Sequence, residues 1–246
     1  MNNYINLIKR IKSIIPSHIK PKFKDEKDLL NWNKKKGLMS SQYILKKNKA
    51  IKMQQIFNNS GIKTLYMNCS FDNYKVFNIG QEKVLNFSKK YVKNFNNKFS
   101  NFIFSGKPGT GKNHLAAAIG NYLILNEKKF LIITIADLMS KIKKTFHKDN
   151  KYNEEYFINK LTKVDLLIID EIGIQKESNY EKIIIHQIID RRTSLKKSTG
   201  MLSNLNYSNL NKLLGERIID RMKLGKSLWL NFNWNSYRLN VTGNEK

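Results

Sequence analysis

Short apolar runs alternate with helical stripes along most of this chain of 246 residues. The apolar runs predict five strands, at residues 101–105, 130–135, 164–170, 200–203 and 228–232. Helical periodicity covers residues 81–96, 111–126, 136–146, 179–195 and 208–223. Buried strands that alternate with helices are typical of a parallel sheet covered on both faces. We therefore predict an α/β domain over residues 75–246.

The N-terminal part shows helical periodicity alone. After a first stripe of isoleucines, one helix is predicted from an N-cap at Asp25 to Gly37, which suits the position just past a helix end. Another helix is predicted over residues 40–57. We predict a small helical domain over residues 1–57 and a linker over residues 58–74. Because so small a unit buries little apolar surface, we expect it to dock on another molecule.

The composition and the N-terminal residues also predict where in the cell the protein is found. Hydrophobic residues make up 41% of the chain, enough for a sizeable core, and no apolar run approaches the ~18 residues of a membrane span. The N-terminus has no apolar signal core, and the single cysteine, Cys69, cannot form an internal disulfide. We therefore expect a cytoplasmic protein without a membrane partner.

The formal net charge is +26, and lysine accounts for most of it. Six of the 45 basic residues are arginine and the other 39 are lysine, as an A+T-rich coding sequence produces. The charge predicts salt-sensitive attraction to polyanions rather than a dedicated binding site. Arginines that persist in such a background are expected where lysine cannot replace the planar guanidinium. They are Arg10, Arg191, Arg192, Arg217, Arg221 and Arg238.

A glycine-rich turn follows the first predicted strand. The stretch GKPGTGKN matches the phosphate-binding pattern G-x-x-x-x-G-K-[ST] except at its last position, and a predicted helix follows it. Backbone N–H groups at a helix N-terminus bind phosphate, and the lysine of the pattern reaches the β- and γ-phosphates. The predicted nucleotide-binding residues are Gly106, Lys107, Pro108, Gly109, Thr110, Gly111, Lys112, Asn113 and His114.

The third predicted strand ends in LLIIDE. In P-loop ATPases an aspartate at this point holds Mg²⁺, which predicts that role for Asp170, and the adjacent Glu171 is placed to activate a water. We therefore predict ATP and Mg²⁺ as the ligands of this site. Asn113 stands where a hydroxyl normally ligates Mg²⁺. Either its side-chain carbonyl takes that place, or Asn113 caps the helix and water completes the shell.

Four more polar residues are candidates for the same site. Asn204 follows the fourth strand, where it either orients the attacking water or forms a turn. Arg217 and Arg221 share one helix face, which suits either an arginine finger for a neighbouring subunit or local salt bridges. Arg238 follows the last strand and is a candidate for bending back towards the γ-phosphate.

Several stretches together resemble the bacterial DnaC-type replicative helicase loaders, which are AAA+ ATPases. They are SGKPGTGKNHLAAAIGN, LLIIDEIG, YEKIIIHQIIDRRTS, LLGERIIDRMKLG and FNWNSYR. The resemblance implies a five-stranded parallel AAA+ core with strand order 5-1-4-3-2. It also implies that Asn204 is sensor I, that Arg221 is the finger acting on a neighbour, and that Arg238 is akin to sensor II. Too few residues follow the last strand to build a C-terminal lid, so we expect none.

The same resemblance implies that the N-terminal helices bind a DnaB-type hexameric helicase. The residue types agree, because large apolar side chains on a short helix are typical of interface hot spots. Trp32 either serves in this way or packs the N-terminal helices together. The predicted helicase-binding residues are Arg10, Ile11, Leu29, Leu30 and Trp32.

Family members bind single-stranded DNA through the AAA+ core, and the resemblance implies the same here. Phe146 lies among lysines, and Ser178 and Tyr180 follow the LLIIDE strand. Aromatic groups flanked by cations suit binding without sequence preference, and ordinary lysine-rich surface loops are the alternative. The segment SFDNYKV contains Phe71 and Tyr74. These two side chains lie either near the base of the bound nucleotide or in the core.

These features together favour an ATP-dependent loader with weak ATPase activity. We expect it to bind the replicative helicase, to self-associate on it, to deliver it onto single-stranded DNA at an origin or restart site, and to leave on ATP hydrolysis. The alternative is a transposition helper of the IstB type, and LLNWNKKKG and Asn113 favour the loader. A third class would be an adaptor that binds a nucleotide without hydrolysing it. Such a protein would not need Glu171, Asn204 and Arg221, so their joint presence argues against this class.

Overall fold

A computed structural model describes residues 25–96, 99–146, 153–173 and 179–237, together with residues 6, 10, 13, 14, 16, 22 and 23. The chain divides into two compact units, residues 1–51 and 52–246. The functional boundaries predicted at residues 57 and 74 stay predictions. No helix in the described part of the chain is long and apolar enough to cross a membrane.

One long helix, α1, spans Glu26–Asn58. Asp25 caps it as predicted, since its carboxylate accepts the backbone N–H of Asp28 at 2.7 Å. The prediction of two separate helices meeting near Gly37 is wrong. A single interior glycine costs only about 1 kcal/mol, which is less than breaking the hydrogen-bonded ladder without a proline to enforce the break. The Ser41 hydroxyl donates to the Gly37 carbonyl at 2.9 Å inside the continuous helix.

The second unit is built on a parallel sheet of five strands. The strands are β1 (Phe102–Gly106), β2 (Phe130–Thr134), β3 (Leu166–Ile172), β4 (Ser198–Ser203) and β5 (Leu228–Phe232). Their spatial order is β2-β3-β4-β1-β5, which confirms the predicted order 5-1-4-3-2. All carboxyl ends therefore lie on one edge, where open α/β sheets bind ligands.

Helices cover both faces of the sheet, as the buried apolar strands predict. The helices α2 (Ile79–Asn94) and α3 (Lys112–Leu125) pack on one face, against Phe102, Phe104 and Ile168. The other face, which carries Ile103 and Ile169, is covered by five helices. These are α4 (Ile135–Lys144), α5 (Glu154–Thr162), α6 (Asn179–Ser194), α7 (Tyr207–Leu214) and α8 (Glu216–Lys223).

Two helical predictions need correction. Helix α5 was not predicted, although its N-cap signal is present: the Asn153 side chain accepts the N–H of Tyr156 at 2.8 Å. The predicted helix at 208–223 is two helices, because Gly215 at φ 84° ends α7 and begins α8. Among the described residues, β5 is the last regular element of the chain.

The segment between α1 and α2 lies against the sheet edge and α3. The Ile132 N–H on edge strand β2 donates to the Ser60 carbonyl at 2.8 Å. Farther along, the Asn121 amide on α3 donates to the carbonyls of Met67 and Cys69 at 3.0 and 2.8 Å. These bonds hold residues 60–69 against the core. They therefore also fix the chain that leads to the carboxyl edge of the sheet.

Arg192 at the end of α6 is completely buried and joins three elements. Its Nε donates to the Thr199 hydroxyl at 3.0 Å, and its two terminal nitrogens donate to backbone carbonyls. The accepting carbonyls belong to Leu161, Val164, Asp165 and Ser198. This is a site where the persistence of arginine has a physical reason, since a lysine has three donors and no fork.

We predict that Arg192→Lys lowers the free energy of unfolding by about 2–4 kcal/mol, because at least two buried carbonyls lose their donors. Urea denaturation followed by circular dichroism measures this. The matched control is Arg191→Lys, at the next position but partly exposed, where its guanidinium contacts Asn159 at 2.9 Å. That change should cost below about 1 kcal/mol. Equal losses in both variants would contradict the structural role given to Arg192.

Candidate active site

The P-loop joins the end of β1 to the start of α3. Gly111 stands before α3 at φ 94°, and Gly109 lies at φ 75°, a region that suits glycine. Residues after β5 brace this turn: the Trp234 indole donates to the Thr110 carbonyl at 3.0 Å, and the Tyr237 N–H donates to the Gly109 carbonyl at 2.9 Å. The residues that follow edge strand β5 therefore hold the P-loop in shape.

Lys112 turns back onto the loop that precedes it. Its ammonium donates to the carbonyls of Gly106 and Lys107, both at 2.7 Å. Burial lowers the pKa of Lys112 to about 8, and the negative charge of Asp170 opposes part of this effect. The lysine is thus a partly desolvated cation beside the loop, where phosphate oxygens would compensate its charge.

Asp170 and Asn113 are brought together from β3 and α3. The Asn113 amide nitrogen donates to Asp170 Oδ2 at 3.0 Å, and Asp170 Oδ1 accepts the Glu171 N–H at 2.7 Å. Burial raises the pKa of Asp170, and the nearby charge of Glu171 adds to this. The Asn113 side chain binds the Asp170 carboxylate through its amide nitrogen. The side-chain carbonyl oxygen of Asn113 is therefore the atom that can face a cation.

The residues present fit a magnesium ion that shares its shell with phosphates. Among the described residues, no three His, Cys, Asp or Glu side chains gather as a ready-made metal cluster. Mg²⁺ is commonly bound by one or two protein oxygens, several waters and substrate phosphates. Asp170 and the carbonyl of Asn113 match that donor set, so a cation here depends on the nucleotide.

A cavity of about 570 Å³ collects most of the predicted nucleotide residues. Its walls include Pro108 to His114, the acidic pair Asp170–Glu171, and Asn204 at the end of β4. Gly106 and Lys107 form the start of the loop behind it. Glu171 has a φ of 62°, a left-handed conformation uncommon for a residue with a side chain, and such strain clusters at functional sites.

Sequence reasoning missed the opposite wall of this cavity. It is formed by Leu65, Tyr66, Asn73, Lys75, Gln81 and Tyr237. Tyr74 lines the cavity and is also a buried member of the core on this side of the sheet. Phe71 packs against the same core, with its ring 6.2 Å from that of Tyr122. His114 links this wall to α3, because its Nε2 lies 3.1 Å from the Ser70 carbonyl, and burial lowers its pKa. No local sequence signal marks a wall that forms only on folding.

The candidate arginines lie on α8, outside the cavity lining. Arg221 is 22% exposed and forms an ion pair with Asp190 of α6, while its Nη1 lies 3.0 Å from His186 Nε2. Arg217 is 70% exposed, with Nη2 3.8 Å from Asp190. The salt-bridge partner of both arginines is thus Asp190 on the neighbouring helix α6. Arg238 lies outside the described residues.

The candidate DNA-contacting aromatics meet on the second unit. The rings of Phe146 and Tyr180 lie 6.1 Å apart, although 34 positions separate them in the chain. Phe146 is 59% exposed at the end of α4, and the Tyr180 hydroxyl donates to Glu154 at 2.8 Å. Ser178 lies outside the described residues.

The candidate helicase-binding residues lie in the first unit. Leu29 and Leu30 are exposed on α1, and no residue of that helix is buried. Trp32 is half-buried, with the Phe23 ring 5.2 Å away and the Lys36 ammonium 4.4 Å above its face. Arg10 is exposed, and Ile11 lies outside the described residues.

The sheet order, the P-loop and the acidic pair together define a P-loop nucleotide-binding protein of the AAA+ class. The chain matches the family model of IstB-like ATP binding proteins over residues 41–244. It is 62% identical to the replicative helicase loader DnaC of Buchnera aphidicola subsp. Baizongia pistaciae and 54% identical to that of Escherichia coli strain K12. Both alignments cover 100% of each chain. The chain therefore belongs to the DnaC family of replicative helicase loaders.

A solved structure supports the fold independently. The crystal structure of a DnaC helicase loader superposes with a TM-score of 0.62 at 24% identity, covering 69% of this chain and 99% of that one. The resemblance inferred from the motifs is confirmed by these relatives. Their full-length match favours the loader over the transposition helper.

We predict that ATP binding takes up a proton between about pH 7.5 and 9.5 and that ATP affinity falls as the pH rises through this window. Free Lys112, with its pKa lowered to about 8, loses its proton there, while a bound triphosphate favours the charged form. Calorimetry in two buffers of different ionisation enthalpy measures the uptake.

Lys112→Arg is the control for this titration. A guanidinium stays charged throughout the window. The proton uptake should therefore disappear in the variant whatever its affinity. The same uptake in both proteins would assign the titration to another group.

Proposed function

We propose that the protein is an ATP-dependent loader of the replicative hexameric helicase. It binds the helicase through its N-terminal part, delivers it onto single-stranded DNA, and leaves after ATP hydrolysis. One observation carries the proposal: the P-loop and the acidic pair line one cavity in a chain that matches helicase loaders over its whole length. Because these proposed partners are cytoplasmic, we assign the protein to that compartment.

The chemistry proposed is transfer of the γ-phosphoryl group of ATP to water. The Lys112 ammonium exchanges its two loop carbonyls for β- and γ-phosphate oxygens, which are better partners for a desolvated cation. Glu171 accepts the proton of the attacking water, and Asn204 orients that water. Mg²⁺, held by Asp170 and by Asn113 or a water, would neutralise the phosphate charge.

The hydrogen bond between Asn113 and Asp170 gives the unusual P-loop residue a role. A hydroxyl at this position would offer one oxygen to the cation and one hydrogen to a neighbour. Asn113 divides these tasks, because its Nδ2 donates to Asp170 at 3.0 Å and its carbonyl oxygen remains for the cation or for a cation-bound water. The amide therefore substitutes for the hydroxyl with a larger side chain.

Weak turnover by the isolated protein follows from the position of the arginines. Arg221 does not line its own nucleotide cavity and is paired with Asp190 and His186. We propose that it completes the cavity of a neighbouring copy when the protein self-associates on the helicase. An arginine finger of this kind accelerates phosphoryl transfer by about 10³–10⁵.

Binding of single-stranded DNA is proposed on the second unit. The exposed ring of Phe146 beside Tyr180 offers a stacking surface, and Lys143 and Lys144 in the last turn of α4 supply cations. Stacking with flanking charge tolerates any base, so no sequence preference is expected. The exposed leucines and Trp32 of α1 are the proposed contacts with the helicase.

The decisive experiment is co-purification with the replicative helicase, combined with ATP turnover measured with and without single-stranded DNA. Lys112→Ala should abolish ATP binding and leave helicase binding intact, because the proposed sites belong to different units. Trp32→Ala should do the reverse, weakening helicase binding by about tenfold or more. A wild-type chain that does not bind the helicase would overturn the proposal, and loss of both activities in a folded Lys112→Ala protein would overturn the division of roles.

We predict that Arg221→Ala leaves ATP affinity within about threefold and lowers DNA-stimulated turnover by about 10³-fold, towards the weak basal rate of the isolated protein. Arg217→Ala is the matched control, since this residue lies one turn earlier on α8 and also contacts Asp190. Filter binding and phosphate release measure the two quantities, and thermal denaturation checks folding. If Arg217→Ala loses the stimulation and Arg221→Ala keeps it, the finger is Arg217.

A further inference from the structure

The guanidinium of Arg221 is held by two side chains of the neighbouring helix α6. Arg221 Nη2 forms the ion pair with Asp190, and Nη1 lies 3.0 Å from His186 Nε2. Both terminal nitrogens therefore have partners on α6. The Arg221 side chain is nevertheless 22% exposed, so the guanidinium lies at the surface, where another molecule can reach it.

His186 and Asp190 also contact each other. A guanidinium has only donors, so His186 Nε2 must accept from Arg221, and the proton of the neutral ring is then on Nδ1. This Nδ1 lies 3.6 Å from Asp190 Oδ2, one turn farther along α6. The three side chains thus form a cluster in which each one restrains the other two.

The backbone of Arg221 is held by the sheet. Its carbonyl accepts from the side-chain nitrogen of Asn101 at 3.2 Å. Asn101 is buried directly before β1, and its side-chain oxygen accepts the N–H of Thr199 on β4 at 2.9 Å. Asn101 therefore ties the end of α8 to the strands that lead into the P-loop and Asn204, and Arg221 is fixed at both its backbone and its guanidinium.

The cluster keeps a positive charge. Arg217 also contacts Asp190, with its Nη2 3.8 Å from the carboxylate. Two guanidinium groups thus share one carboxylate beside a neutral imidazole, which leaves one positive charge in excess. A guanidinium that is positioned without being neutralised suits a phosphate on another molecule.

Holding an arginine in advance favours catalysis. A free arginine side chain samples many rotamers, and ordering it during the reaction would add to the barrier, which a pre-placed group avoids. We infer that Asp190 and His186 are positioning residues, which hold the Arg221 guanidinium in the orientation that reaches the γ-phosphate bound by a neighbouring copy. This inference rests on the proposed function, in which Arg221 acts on a neighbour.

The test uses mixtures of two full-length variants assembled on the helicase with single-stranded DNA. Lys112→Ala copies should bind no ATP and supply only Arg221, whereas Arg221→Ala copies bind ATP and lack the finger. We expect the mixture to recover DNA-stimulated turnover that neither variant has alone. Asp190→Ala is then added to one of the two variants at a time. Phosphate release gives kcat and KM, and thermal denaturation checks that each variant is folded.

Asp190→Ala in the Lys112→Ala copies should lower kcat about tenfold and leave KM for ATP unchanged, because the other copy binds the ATP. In the Arg221→Ala copies the same change should lower turnover by less than about twofold, since no finger is held there. A merely structural role of Asp190 would not depend on which copy carries the change. Glu155→Gln is the matched control, because the ion pair that it loses is with Arg191, the residue after Asp190, and it should leave turnover unchanged.

His186 offers an independent test with a conservative rescue. His186→Leu removes the acceptor for Arg221, whereas His186→Gln keeps a side-chain oxygen that can accept. In the Lys112→Ala copies, His186→Leu should lower kcat by about threefold to tenfold, and His186→Gln should restore most of that loss. Equal turnover with the two substitutions would overturn the role given to His186.

Two results for Asp190→Ala would overturn the inference: equal losses whichever copy carries the change, or no loss in either. A mixture that recovers no turnover, when wild-type copies are stimulated by DNA, would show that Arg221 does not act on a neighbour. That result would overturn the inference and leave the loader function standing. Wild-type copies that neither bind the helicase nor turn over ATP would instead reject the proposed function itself.

Discussion

Parallel pairing of β3, β4 and β1 is the constraint on which the rest of the molecule depends. Because these neighbouring strands run in the same direction, the P-loop, the Asp170–Glu171 pair and Asn204 all emerge at one edge of the sheet. Helix α3 then packs on the sheet through Leu115, Ala116 and Ile119, which brings its N-terminal N–H groups to the same edge. The glycine-rich turn, the acidic pair and Asn204 thus meet without any local sequence signal that joins them.

Several groups around this cavity are held away from their preferred states. Burial lowers the pKa of Lys112 and raises that of Asp170, so it disfavours the charged form of each side chain. Glu171 occupies a left-handed backbone conformation, and the Tyr74 hydroxyl has no partner. The proposed nucleotide and its cation would compensate the charges of Lys112 and Asp170. Perturbed groups gathered around one cavity are expected where function opposes stability.

The expectation that arginine persists where lysine fails holds at particular sites. Buried Arg192 donates five hydrogen bonds, four of them to backbone carbonyls, and Arg221 bridges an aspartate and a histidine on α6. A lysine offers neither the number of donors nor the planar fork. Arg217, by contrast, is largely exposed and Arg191 is partly exposed, and their contacts lie at the surface. Composition therefore pointed to special positions without distinguishing a structural anchor from an exposed side chain.

The five strands, most of the helices and the P-loop follow from local rules, since side-chain periodicity and glycine conformations act over a few neighbouring residues. The DnaC-like motifs add the strand order, because relatives share it. The sequence alone did not show that α1 continues through Gly37, where the helical hydrogen-bonded ladder outweighs the cost of one glycine. Only the folded chain brings Asn113 to Asp170, Arg221 to Asp190 and Tyr74 to Gly111. These contacts join distant segments, and their energies depend on burial and distance, which arise only when the sheet and its helices have packed together.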